Sequence, residues 1–351
     1  MLHVAYGYMF DYLLWWLIFV SLIIHTWCFF RFFPRGRRRK IGLLVGNVLV
    51  FACLADCAAL AGETWFRFIS VEMDPFGMTF AARRWLVLYG QLNSSGCRDT
   101  EWAAAPARDA RRIAFVGDSF VYGWGIEQRS DRFPDRIGAE LNRRSPGSVE
   151  IMNVAKPGWD VGEQMEFLAQ LLAVYKVDEV VLCYVPNDIE KVLPVGENFD
   201  PTLPPPGSTF FNLHGSALLE HVYYRVYVPR AATVRGYHDW LANGYADAAL
   251  WRLQQQRLDE MIGLCRRRGV RFRVVLFPFL RWSGQRFDPE EIHAKVAGFF
   301  QKQDIPVVDL LPVFADRDPA DVVLNAQDAH PNELAHRLAA EAILDVFYPS
   351  R

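Results

Sequence analysis

Apolar and polar positions divide the chain into two regimes. Over residues 12–30, "YLLWWLIFVSLIIHTWCFF", apolar side chains run almost without a break, close to the roughly 20 residues a bilayer-spanning helix needs. A polar stretch, "RFFPRGRRRK", follows. Then comes a second apolar run, "IGLLVGNVLVFACLADCAALA", at Ile41–Ala61. A cleaved signal peptide would carry its basic residues before the first run, and "MLHVAYGYMFD" holds no Lys or Arg. The pattern therefore predicts two transmembrane helices.

After residue 110 the pattern changes to short apolar runs alternating with helical spacing. Strands are expected at Ile113–Val116, Val149–Val154, Glu179–Val185, Phe272–Phe277 and Pro306–Leu310. Helices are expected at Arg132–Arg144, Val161–Tyr175, Ala246–Arg268, Glu290–Gln301 and Leu334–Phe347. Phe133, Ile137 and Leu141 share one helical face, as do Met165, Leu168 and Leu172. "EVVLCYV" is almost continuously apolar, as a strand covered on both faces requires. This alternation implies an α/β fold, a three-layer α/β/α sandwich with a mostly parallel sheet. In such sheets ligands bind beyond the carboxyl ends of the strands.

The expected organisation is an anchor over residues 1–65, a connector over 66–110 and a catalytic domain over 111–351, with an insert at about 190–244. The connector contains "RRWLVLYGQL", an amphipathic helix candidate, and "NSSGCRDTEW", a polar turn region. The insert contains "NFDPTLPPPGSTFFNLHG" and "HVYYRVYVPR" and is too long for an ordinary connection. It leaves the carboxyl end of the third strand and reads as a lid or specificity element.

Charge adds orientation. Arg31, Arg35, Arg37, Arg38, Arg39 and Lys40 lie between the two apolar runs, whereas only Arg67 closely follows the second. The positive-inside rule places that loop in the cytoplasm. Residues after about 65 then face the periplasm or exterior of a bacterial inner membrane, with Trp65, Phe66 and Phe68 at the interface. The net charge of −2 gives no basic field for nucleic acid. Asp56 lies within the second run and is expected to reach water or pair with Asn47 or His25. Three of the six cysteines, Cys28, Cys53 and Cys57, lie in the apolar runs; the rest show no CxxC or Cys/His spacing, so no metal is expected, and Cys183 and Cys265 read as core.

Chemistry gathers just past the strands. Ser119 follows the first, Gly158 of "NVAKPGWD" the second and Asn187 of "VPNDI" the third; Asp328 and His330 of "NAQDAHPNELAH" follow the last. A nucleophilic serine needs a base, and the base an orienting group. His330 and Asp328 suit these roles. The N–H groups of Ser119 and Gly158 and the amide of Asn187 suit an oxyanion hole. Pro331 fits a first helical position, which places His330 at the N-terminus of the terminal helix. Asp118 is expected to hold its own turn. Among the other histidines, His214, His221 and His238 lie in the insert, His293 on a polar helix face and His336 within the terminal helix.

"FVGDSFVYGWG", "NVAKPGWD", "VPNDI" and "DAHPNELAH" resemble the four blocks of the SGNH/GDSL hydrolase superfamily, in order, over about residues 112–347. The layout, with its membrane anchor and "NSSGCRDTEW" ahead of the first strand, is similar to bacterial members. The resemblance implies Ser119 as nucleophile, Gly158 and Asn187 as oxyanion donors and His330 as base. In one respect the chain departs from the family. The usual acid stands three residues before the histidine, where this chain has Gln327, whereas Asp328 stands two before. Polysaccharide O-acetyltransferase relatives share that shorter spacing. The resemblance implies a cofactor-free serine esterase acting on an acylated carbohydrate or lipid. The alternatives are an O-acyltransferase using the same residues and an inactive envelope scaffold.

Overall fold

A computed structural model describes residues 9–32, 39–106, 110–194, 215–282 and 285–350. Arg35, Arg37, Arg38, His214 and the "NFDPTLPPPGSTFFNL" part of the insert lie outside them. The chain divides into two compact units, Met1–Arg84 with Leu203–Pro229, and Trp85–Thr202 with Arg230–Arg351.

In the first unit, helices α1 (Met9–Phe32) and α2 (Arg39–Thr64) pack on each other. Stretches of 21 and 30 residues, Tyr12–Phe32 and Lys40–Ile69, are long and apolar enough to cross a bilayer. Their side chains point outward: Leu17, Leu44 and Phe51 are each at least 66% exposed. Such apolar exposure is costly in water and favourable in lipid. Asp56 is buried, and its Oδ2 has no hydrogen-bond partner among the described residues. Of the two pairings expected as alternatives to water, with Asn47 or His25, neither reaches Oδ2; His25 Nδ1 instead lies 2.7 Å from the carbonyl of Ser21, one turn back on its own helix.

Beyond α2 the backbone widens into a single π-turn, Trp65–Ile69. Glu63, 1% exposed, lies one turn before it. Its carboxylate accepts from Arg67 Nε at 2.8 Å, Ser216 Oγ at 2.8 Å and the backbone N–H groups of Ala217 and Leu218 at 3.0 Å each. Those amides belong to the first turn of α7 (Ala217–Val222). A charged acceptor satisfies donors that a helix start leaves unpaired. His221 of this segment stacks on Phe66, with ring centroids 3.7 Å apart.

The second unit carries five parallel strands: β1 (Arg111–Gly117), β2 (Val149–Ala155), β3 (Glu179–Tyr184), β4 (Arg271–Leu276) and β5 (Val307–Asp309). Their spatial order is β2-β1-β3-β4-β5. Helices α5 (Phe133–Arg144) and α13 (Glu333–Phe347) pack together, and α5 lies against β2. Residues from α6 (Val161–Val174), α9 (Ala248–Arg268) and α10 (Pro289–Gln301) share a core with Val116, Leu182 and Val274 of the sheet. Each fully buried Val, Leu or Ile there contributes roughly 1.5–3 kcal/mol. The expected strands and helices are all present, with ends within two residues of those read from the pattern. The "RRWLVLYGQL" segment supplies most of helix α3 (Phe80–Tyr89).

Because the chain runs first from β1 to β2 and then back across to β3, the connections leave β1 and β3 in opposite directions. Adjacent strands with diverging connections open a crevice at their carboxyl ends. Ser119 follows β1 and Asn187 follows β3, so both sit at this switch point. Gly158 follows β2, on the other side of β1.

Two sequence expectations change. The terminal helix begins at Glu333, with Asn332 as its cap: Asn332 Oδ1 accepts from the Ala335 N–H at 3.1 Å. Pro331 instead pairs with Val323 in an antiparallel bridge. His330 therefore belongs to a closed loop and not to the helix start. His293 is not on a polar face; it is 3% exposed and its Nδ1 lies 2.7 Å from Asp309 Oδ1. A carboxylate at the end of β5 makes an inward-facing histidine tolerable.

Candidate active site

The turn after β1 is built to aim one hydroxyl, that of the largely buried Ser119, at the strand ends. Gly117 has no room for a side chain: an added Cβ would lie 2.5 Å from Val121 and 3.1 Å from the Cys183 carbonyl. Asp118 then caps the single turn α4 (Ser119–Tyr122), accepting from the Phe120 N–H at 2.9 Å. Its other oxygen accepts from Asn187 Nδ2 at 3.1 Å. Asp118 thus holds its own turn, as expected, and also links the ends of β1 and β3.

His330 Nε2 lies 2.9 Å from Ser119 Oγ, and its Nδ1 lies 2.6 Å from Asp328 Oδ1. With the proton on Nδ1 donated to the carboxylate, Nε2 presents a lone pair to the serine hydroxyl. The loop is preorganised. Asn325 Oδ1 accepts from the backbone N–H groups of Gln327 and Asp328 at 3.0 Å each. The Leu324 N–H donates to the His330 carbonyl at 3.0 Å. Asp328 is fully buried, and Gln327 is exposed. The structure thus brings Ser119, His330 and Asp328 into one hydrogen-bonded chain and leaves Gln327 outside it.

Asn187 sits in a 3-10 turn over Pro186–Val192. Gly158 occupies the loop between β2 and α6 at φ +77°, the left-handed region that favours glycine, and no atom would meet an added Cβ there. These two residues flank the serine strand from either side. Phe120 and Trp124 wall the imidazole, with ring centroids 5.6 and 5.8 Å from that of His330.

Behind Asn187 lies a buried polar network. Gln164 Nε2 donates to Asp188 Oδ1 at 2.7 Å, and the Val185 N–H donates to Asp188 Oδ2 at 2.9 Å. Tyr245 Oη donates to the Pro186 carbonyl at 2.9 Å, and Gln254 Nε2 to that of Asp188 at 2.9 Å. Burial raises the carboxyl pKa of Asp118, opposed by the Phe120 and Asn187 donors. Burial and the Asp118 charge push Asp188 well above the usual carboxylate range. Glu190 is pushed up to about 7, first by burial and then by Asp118 and Asp160. Sequence reading missed Gln164, Glu190, Tyr245 and Gln254, which carry no local motif. His238 packs edge-on to Phe279 and Phe287. Among the described residues no group of three or more His, Cys, Asp and Glu side chains is arranged to hold a metal ion.

Residues 115–338 match the model of the GDSL-like lipase/acylhydrolase family. No curated protein matches the chain. Solved structures similar to it include the psychrotrophic esterase EstA from a Pseudoalteromonas species, 12% identical with a TM-score of 0.43, covering 68% of this chain and 96% of that one. A G-D-S-L family lipolytic protein from Veillonella parvula is 18% identical with a TM-score of 0.40, covering 68% and 98%. A catalytic mutant of Axe2, an acetylxylan esterase from Geobacillus stearothermophilus, is 12% identical with a TM-score of 0.43, covering 68% and 95%.

Proposed function

The chain belongs to the GDSL-like lipase/acylhydrolase family, and from that premise we propose that it is a membrane-anchored serine esterase acting through an acyl-enzyme on Ser119. The hydrogen-bonded run Ser119–His330–Asp328 at the switch point of the sheet carries this reading. Ser119 Oγ attacks the acyl carbonyl while His330 Nε2 takes its proton. The N–H groups of Ser119 and Gly158 and the amide of Asn187 receive the oxyanion, each worth roughly 3 kcal/mol at the transition state. His330 then returns the proton to the departing alkoxide. Water repeats the sequence against the acyl-enzyme and releases the acid.

The substrate class proposed is an acetyl or other acyl ester of an envelope polysaccharide or lipid. The two exposed apolar helices support a two-pass anchor in a bacterial inner membrane. The basic residues between them support a cytoplasmic loop and a catalytic unit on the periplasmic or extracellular side.

A second reading, O-acyl transfer to a glycan hydroxyl, uses the same acyl-enzyme with a sugar in place of water. Its support is the two-residue Asp328–His330 spacing shared with O-acetyltransferase relatives. The scaffold reading rested on Gln327, and that residue lies outside the hydrogen-bonded chain.

The test uses the full-length chain in detergent with p-nitrophenyl esters of increasing acyl length. We expect ester cleavage that Ser119→Ala reduces by at least a thousandfold, and fluorophosphonate labelling of the wild type alone. Wild-type protein that neither cleaves nor labels would remove the esterase and transferase readings together. Transfer to an added glycan in excess of hydrolysis would select the second over the first.

A further inference from the structure

We infer that Arg98, from the "NSSGCRDTEW" segment, is a positioning residue for the nucleophile turn; this rests on the esterase reading above. Arg98 lies outside the 115–338 span that matches the family. Its side chain is completely buried. No carboxylate lies within ion-pair distance among the described residues. All its donors go instead to backbone carbonyls. Nε donates to Tyr89 O at 2.7 Å, Nη1 to Tyr122 O at 3.3 Å and Gly123 O at 2.9 Å, and Nη2 to Ile126 O at 2.6 Å and Glu127 O at 2.9 Å. Trp85 lies against the guanidinium at 4.9 Å.

Four of these five acceptors lie in the eight residues that follow Ser119. The same short loop closes on the serine, because the N–H groups of Gly123 and Trp124 both donate to the Ser119 carbonyl, at 3.1 and 3.0 Å. It also carries Trp124, the wall beside His330. One guanidinium therefore sets the curvature of the loop that fixes Ser119 and one side of its base. The neighbouring residue reinforces the grip from behind. Asp99 Oδ2 accepts from the Asn153 N–H at 2.8 Å, and Asn153 Nδ2 donates to the Val121 carbonyl at 2.7 Å.

A buried charge is costly unless its donors are satisfied. Arginine alone offers a planar fork of five donors; lysine offers three from one point and cannot span four carbonyls. An arginine that merely fills the core would affect stability and leave turnover alone. A positioning role predicts more, since a displacement of about 1 Å in a reacting group costs on the order of a hundredfold in rate.

The experiment compares Arg98→Lys with Arg112→Lys in the full chain. Arg112 is an equally buried arginine at the opposite end of β1, bonded to Glu150 and to the carbonyls of Ala103 and Lys176. Ester turnover is measured beside hydrogen exchange of the peptide covering residues 119–127. We expect Arg98→Lys to lower kcat about a hundredfold with KM changed less than threefold, and to speed exchange in that peptide. Arg112→Lys should do neither, even where both variants lose similar thermal stability. Gly123→Ala, at φ +75° and with a Cβ that would lie 2.6 Å from Arg132 and 3.4 Å from Arg98 Nη1, disturbs the same loop beside the guanidinium and should reproduce the kcat loss if Arg98→Lys does not fold. A folded Arg98→Lys with kcat within threefold of wild type overturns the inference, as does an equal kcat loss in Arg112→Lys. A wild type inactive on every ester overturns the esterase reading instead, and unchanged exchange in Arg98→Lys then still overturns the loop-holding role.

Discussion

One oxygen of Asp328 serves His330 twice: Oδ1 lies 2.6 Å from the imidazole Nδ1 and accepts the backbone N–H of the same residue at 3.1 Å. The backbone bond is an Asx-type turn, from a side chain to the N–H two residues on. That turn folds the histidine back over the carboxylate. A spacing of two is therefore enough, and the position three residues back is left exposed in Gln327.

This geometry separates the two candidate acids. Asp328→Asn should lower kcat by about 10³–10⁴, because an amide no longer holds Nδ1–H and the opposite tautomer becomes available. Gln327→Ala should stay within threefold of wild type. In Asp328→Ala, adding Gln327→Asp should restore less than a tenth of the lost activity. Steady-state kinetics on p-nitrophenyl acetate read all three; rescue by Asp at position 327 would show that the acid site is not where the Asp328 contact places it.

Asn187 and Asp118 should behave as a pair. A carboxylate can only accept, so it holds the NH2 end of the Asn187 amide in place. Asn187→Ala should cost about 10²–10³ in kcat, the loss typical of an oxyanion donor. Asp118→Asn should cost roughly tenfold or more through misorientation, and its effect should nearly vanish in the Asn187→Ala background. Full additivity in that double-mutant cycle would count against the pairing.

Glu190 makes a stability prediction with a definite sign. Its folded pKa is raised to about 7, above the ordinary value of 4.5, chiefly by burial. The folded state binds the proton more tightly than the unfolded chain, so its stabilising effect is full below about pH 4.5 and is lost as pH rises toward 7. Glu190→Gln should therefore raise Tm relative to wild type at pH 8 and leave it unchanged at pH 4. Differential scanning fluorimetry across that range is the check; an equal shift at both ends would show that charge is not the cause.

His336 gives the opposite slope. Burial, then Arg132 and Arg136, lower its pKa from 6.5 to about 3. Its Nδ1 accepts from the Phe133 N–H at 3.2 Å, and the ring stacks on Phe133. The folded state keeps this imidazole neutral, so stability is full above pH 6.5 and falls as pH drops toward 3. His336→Leu should lose about 1–3 kcal/mol at pH 8 by orphaning the Phe133 N–H. It should lose less at pH 5, where wild type has already weakened. Chemical denaturation at the two pH values compares them.

Much of the sheet and the four strand-end blocks are legible in the sequence because each rests on local pattern. A parallel strand covered on both faces reads as a near-continuous apolar run, and a turn that aims a hydroxyl out of a strand end needs Gly117 before it and a capping residue such as Asp118. The rest depends on contacts distant in sequence. Pro331 reads as a helix start, yet the bridge to Val323 takes it out of the helix. His293 reads as surface because its partner, Asp309, lies 16 residues away on another element. Arg98 reads as part of a polar turn, since nothing local shows that four of its five acceptors lie 24–29 residues further on.

The acceptor at Glu63 sets where the chain can be cut. A biochemist wishing to remove the two apolar helices would naturally start a soluble fragment just after Ile69. That cut deletes the carboxylate which receives Ser216 Oγ and the amides of Ala217 and Leu218. It also removes Phe66 from beneath His221. A fragment of that kind would leave the 215–222 segment without its mooring, and any loss of activity in it would be mistaken for a need for lipid.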